Sequence, residues 1–154
     1  MKYQYKNYQI FIIFYLILVC YSLIGSQIID LGNNYQDILA SKSTFEIILI
    51  FIIFGTIETL LAQSLISEIV TIIVTNKYKL AIIYLVSTIA FAFMHYDNNV
   101  NNPFLFVSIQ LLPGWLFISY YQLSRKISIN QAILRTSLLH ISTNISIFLI
   151  SKFL

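Results

Sequence analysis

Long apolar runs separated by short polar stretches set the pattern of this chain. Five runs approach the roughly 20 mostly apolar residues that a helix needs to cross a bilayer. They cover residues 8–24, 45–66, 79–95, 104–123 and 133–154. Between them lie SQIIDLGNNYQDILASKST, SEIVTIIVTNK, YDNNVNNP and SRKISINQ. Transmembrane strands alternate apolar and polar residues, and IILIFIIF at residues 47–54 does not alternate. The pattern therefore predicts an all-α fold, a polytopic membrane helix bundle of about five transmembrane helices in one domain, residues 1–154. The second run can continue as helix to Val74, which places Glu68 near the inner interface. Pro113 and Gly114, in LLPGW, are expected to break the fourth.

Composition agrees with the pattern. The 154 residues are 58% hydrophobic and only 10% charged, where a soluble domain has about 25% charged residues. The formal charge of +3 is spread along the loops. No basic run or aromatic-basic stripe points to a nucleic acid. The bilayer itself is the first expected partner. Cys20 is the only cysteine, so an intrachain disulfide and a CxxC motif are excluded, and it reads as a small buried hydrophobe. Val19 occupies a place where a lipobox needs a small residue. Lys2 and Lys6 precede the first run, but no A-x-A-like site follows it, so the run reads as a retained span.

Lysine and arginine in short loops set orientation. Lys2 and Lys6, then Lys77 and Lys79, then Arg125 and Lys126 mark one side. Lys42 and Lys152 mark the other. This predicts a cytoplasmic N-terminus and an outward C-terminus. Tyr3, Tyr5, Tyr8, Tyr120 and Tyr121 suit interfacial belts. Glu46, Glu68, Arg125, Lys126, Arg135 and Lys152 lie near span ends and read as snorkelling or solvated charges.

Three ionisable residues lie inside the apolar runs: Glu58, His95 and His140. Such residues are costly at membrane depth, face the protein interior and mark function. Glu58 falls roughly 20 Å into its span at 1.5 Å per residue. Gly55, one turn earlier, permits close helix approach. Thr59 and Gln63, spaced i,i+4, can hydrogen-bond in the same cavity. Phe91 is one turn before His95 and is expected to pack beneath its ring. His140 and Asn144, also i,i+4, share one helix face, and Ser137 lies a turn before. Each residue alone also has a plainer role. Glu58 and His140 can be helix–helix hydrogen-bonding groups, and His95 an interfacial histidine. Together they suggest acid–base or metal chemistry, with a proton relay in a small transporter as the other class. Depths do not agree well: His95 falls nearer the outer face than Glu58 and His140, by roughly 10 Å.

The order Glu58-Thr59-x-x-x-Gln63, Phe91-x-x-x-His95, His140-x-x-x-Asn144 resembles the CPBP intramembrane protease family, also called the CAAX protease and bacteriocin-processing (Abi) family. Its motifs read EExxxR, FxxxH and HxxxN/D on successive membrane helices. The similarity covers about residues 45–154, and motifs two and three match fully. Motif one keeps Glu58 but has Thr59 and Gln63 in place of the second Glu and the Arg. The resemblance implies that Glu58 and His95 activate a water while His140 and Asn144 polarise the scissile carbonyl. Thr59, Gln63 and Phe91 take supporting places. It implies a peptide or membrane-protein substrate and a bacterial plasma membrane. The family is often labelled metalloprotease. Catalytic zinc takes three protein ligands plus water, for which Glu58, His95 and His140 are the candidates. Loss of a buried carboxylate and a buried cation together leaves neither unpaired. The alternative is an inactive member acting as a membrane scaffold or peptide-immunity protein.

Overall fold

The computed structural model describes residues 2–28, 41–96 and 102–153. They form a helical bundle, with no strand among the described residues. Helix α1 is Lys2–Ile28, α2 is Thr44–Glu58 and a π-helical segment follows at Thr59–Leu65. Then come α3 (Ile66–Ile73), α4 (Lys79–Met94), α5 (Pro103–Arg125) and α6 (Ile129–Phe153). The segment from α2 through α3 is one continuous run, Thr44–Ile73. Four helices are long and apolar enough to cross a membrane, which fits an integral membrane protein, whereas α4 has only 16 residues. The side chains of Lys2, Tyr3, Tyr5 and Lys6 lie outside the described residues, as do the expected loops at 29–40 and 97–101.

Capping chemistry explains why the elements differ from the apolar runs. Ser43 Oγ accepts from the Glu46 amide (3.2 Å) and Glu46 Oε2 accepts from the Ser43 amide (2.7 Å), a reciprocal capping box. Glu46 is thus a cap rather than a merely solvated charge. Asn102 caps α5 just before Pro103, where a missing N–H costs nothing. Ser128 Oγ accepts from the Gln131 amide (3.1 Å), so α6 begins four residues before its apolar run.

Pro113 does not break α5, which continues through it. A proline inside a helix leaves the carbonyl four residues earlier without its amide partner. Here that carbonyl belongs to Ile109, and the Tyr21 hydroxyl of α1 donates to it at 3.0 Å. A neighbouring helix thus satisfies the freed group. Gly114 serves contact: a Cβ there would lie 3.0 Å from Phe91 Cδ1 and 3.1 Å from the Thr88 carbonyl oxygen. Its absence lets α5 lie directly against α4.

The distribution of side chains is inside-out. Ile52, Ile53, Leu60, Leu61 and Ile72 are exposed, while Ser64, Ser67, Ser87, Thr136 and Thr143 are buried. Helices in lipid bury small and polar residues against one another and turn apolar ones outward. Two expectations need correction on the same ground. Tyr120 and Tyr121 are buried in the core rather than placed in a belt. Cys20 is exposed on α1 rather than buried. Trp115 packs against Tyr84, with ring centroids 6.4 Å apart, and is half exposed.

Candidate functional site

Three helices bring Glu58, His95 and His140 together. Glu58 ends α2, immediately before the π segment. Gly55, one turn earlier, faces α6: a Cβ on it would meet Ile141 Cγ1 at 3.2 Å and His140 Cγ at 3.6 Å. That close approach sets His140 against Glu58, whose Oε2 lies 3.2 Å from His140 Nε2. The same oxygen lies 3.7 Å from His95 Nε2. Neither contact is aligned as a hydrogen bond, and Glu58 Oε2 is a buried acceptor with no hydrogen-bond partner.

The depth mismatch disappears because the run that begins with α2 continues to Ile73, so Glu58 stands about as far from the turn that joins it to α4 as His95 does. His95 is the C-cap of α4, and the chain leaves the helix there. The ring is fixed by Nδ1, 2.9 Å from the Phe91 carbonyl. A carbonyl only accepts, so Nδ1 carries the proton. In the neutral ring Nε2 then presents a lone pair towards Glu58.

Phe91 packs as its spacing suggested. Its ring lies 4.6 Å from His95 and 5.5 Å from His140, centroid to centroid. No local pattern singles out Phe117, whose ring sits 4.4 Å from His140 and 5.3 Å from Phe91. His140 thus packs against a pair of phenylalanines that also contact each other. Its Nδ1 is buried without a partner. Asn144, one turn on, is half-buried and makes no hydrogen bond to Glu58 or either histidine.

Thr59 and Gln63 do not join Glu58. Thr59 is fully buried and donates to the Gly55 carbonyl (2.9 Å) in its own helix. Gln63 is fully buried with both carboxamide atoms unpartnered. They share a face because of the π segment. Gly55, Thr59, Gln63 and Ser67 are spaced by four, a series that drifts about 40° per step in an α-helix. The wider π turn reverses that drift, and such segments are frequent at functional sites. A run of small and polar residues spaced by four inside an apolar span is the sign that sequence reading passed over.

Glu68 and Arg125 are not independent solvated charges. Arg125 donates to Glu68 through Nε (2.7 Å) and Nη2 (2.8 Å), joining α3 to α5. Beside them Tyr121 donates to Ser64 Oγ (3.1 Å), and Gln122 donates to Ser67 Oγ (2.7 Å). Lys152 donates to Thr44 Oγ1 (2.9 Å) and Arg135 to Gln131 Oε1 (3.1 Å).

In kind, one carboxylate and two imidazoles suit zinc. In arrangement, no three His, Cys, Asp or Glu among the described residues are placed to hold a metal ion. Comparison of the chain with protein-family models, with curated proteins and with solved structures returned no match.

Proposed function

We propose that this chain is an intramembrane endopeptidase of the CAAX-protease-like type, in which Glu58 and His95 activate a water. One observation carries the reading: a single buried, unpartnered oxygen of Glu58 faces Nε2 of two histidines from two other helices. The motif resemblance at Phe91, His95, His140 and Asn144 supports it. Glu58 Oε2 lacks a donor, and His95 Nε2 lacks one too while Nδ1–H is spent on Phe91. A water donating to both satisfies two acceptors at once and is poised for deprotonation.

Glu58 takes one proton as the water oxygen bonds to the scissile carbonyl carbon. His140 Nε2–H and the uncommitted Asn144 amide donate to the oxyanion, preorganised donors worth about 3 kcal/mol each. Collapse breaks the C–N bond, and Glu58 returns its proton to the leaving amine. Phe91 and Phe117 hold the imidazoles so that neither ring reorients during the step. Every step uses protein groups alone. The substrate is a peptide or membrane-protein segment admitted laterally or from a loop, in a bacterial plasma membrane with the N-terminus cytoplasmic.

A second reading is an inactive scaffold or peptide-immunity protein. It is favoured by Thr59 and Gln63, neither of which hydrogen-bonds Glu58. Glu58→Gln keeps the shape and removes the base. Protein termini in membranes expressing either form decide between the readings. Termini present with wild type and absent with Glu58→Gln identify a protease and its substrate. Unchanged termini, with both forms folded and abundant, leave the scaffold.

A further inference from the structure

Below Glu58 the bundle contains polar side chains that the site does not use. Two levels bracket them. The upper holds Glu58, His95, His140 and Phe117. The lower holds Ile83, Tyr121 and Ala132, with Val70 packed against them. Gln63, Ser87, Thr136 and Ser137 fall between these levels on three helices. Gln63, Ser87 and Thr136 are fully buried and Ser137 is 6% exposed. Their side-chain polar atoms have no hydrogen-bond partner.

Buried hydroxyls in helices commonly turn back onto the carbonyl four residues earlier. In this bundle Thr59, Ser119 and Thr143 do so, at 2.9, 2.7 and 2.8 Å. Ser87, Thr136 and Ser137 do not. Polar atoms of this kind are where protein interiors bind ordered water. The stripe also continues downward. Ser64 and Ser67 bond Tyr121 and Gln122, and Gln122 and Arg125 line an open cleft of about 270 Å³ between α4 and α5, beside Lys126.

We propose that a file of water runs from the cleft at Gln122 and Arg125 to Glu58, held along its length by Gln63, Ser87, Thr136 and Ser137. It supplies the co-substrate of hydrolysis from the Arg125 end of the bundle. Its use rests on the hydrolytic reading, while its existence does not.

The test measures silver-ion access to single cysteines in sealed vesicles, in a Cys20→Ala background. Access is scored as loss of later maleimide labelling in denaturant. Lys126→Cys and Lys42→Cys mark the two ends, and Leu138→Cys, half exposed on the outer face of α6, reports a lipid-facing thiol. Thiols facing water ionise and react, whereas those in apolar surroundings do not. Ser87→Cys and Thr136→Cys should therefore be blocked on the order of tenfold faster than Leu138→Cys. Blocking should come only from the side that blocks Lys126→Cys. Adding Gln63→Leu, which removes the carboxamide at similar size, should slow both. Rates equal to that of Leu138→Cys, or access only from the Lys42 side, overturn the proposal. Thr136→Cys and Ser87→Cys lie on different helices, so a folding failure of one leaves the other to decide. Repeating the rates in Glu58→Gln separates the two ideas. Access without Glu58-dependent cleavage removes the protease and leaves the passage, and cleavage without access does the reverse.

Discussion

The pairing of Tyr21 with the Ile109 carbonyl makes a quantitative claim about why α5 survives Pro113. Pro113 removes the amide that Ile109 O would accept from, and the Tyr21 hydroxyl replaces it at 3.0 Å. Tyr21→Phe deletes only that donor. An unsatisfied buried carbonyl costs about 1–3 kcal/mol, while hydrogen bonds between membrane helices average about 0.6 and reach about 1.7 kcal/mol. The expected loss is therefore about 1 kcal/mol. In a Pro113→Ala background the restored amide satisfies Ile109 O within the helix, so the same Tyr21→Phe change should cost under about 0.5 kcal/mol. The coupling is read from a double-mutant cycle. Reversible unfolding in mixed micelles, followed by fluorescence of Trp115, the single tryptophan, supplies the four stabilities. Equal costs in the two backgrounds would show that Tyr21 does not stand in for the lost amide.

Gly114→Ala should destabilise by up to about 2 kcal/mol, because overpacking against the fixed Thr88 carbonyl costs about 1–3 kcal/mol and exceeds the ~1 kcal/mol gain in helix propensity. Gly55→Ala meets a flexible Ile141 side chain first and should be near neutral; thermal unfolding that reverses this order refutes the packing. Arg125→Ala and Glu68→Ala should each cost about 1 kcal/mol, and the double variant less than their sum, since the pair is about one-third exposed and modest in worth. Chelation should leave cleavage unchanged, and activity lost to a chelator and restored by zinc would overturn water activation by protein groups alone.

The helical class and the meeting of Glu58, His95 and His140 were legible because each rests on local signals: apolar run length, and ionisable residues where lipid tolerates none. Phe91 was legible from its i−4 spacing. Helix ends were misjudged where hydropathy was read ahead of caps, although Ser43-x-x-Glu46 and Ser128-x-x-Gln131 were present in the sequence. Other features depend on partners distant along the chain. Nothing local says that Phe117 lies over His140, that Tyr21 reaches Ile109, or that Glu68 meets Arg125. Tyr120 and Tyr121 misled for the same reason: a tyrosine pair near a span end looks the same whether it faces lipid headgroups or a buried serine.

The departure of Thr59 and Gln63 from the EExxxR pattern that the sequence resembles also has a physical reading. A glutamate and an arginine at positions 59 and 63 would lie fully buried, where each charge is tolerable only beside the other. Thr59 and Gln63 are neutral, and Thr59 satisfies its hydroxyl inside its own helix. Fold and helix packing therefore need no charge at either position. Glu58 is then the one carboxylate that the described residues place against the two histidines. A second carboxylate there would compete for the same imidazoles. Its absence leaves His95 and His140 both directed at one oxygen of Glu58, while Gln63 stays buried and free of ion pairing.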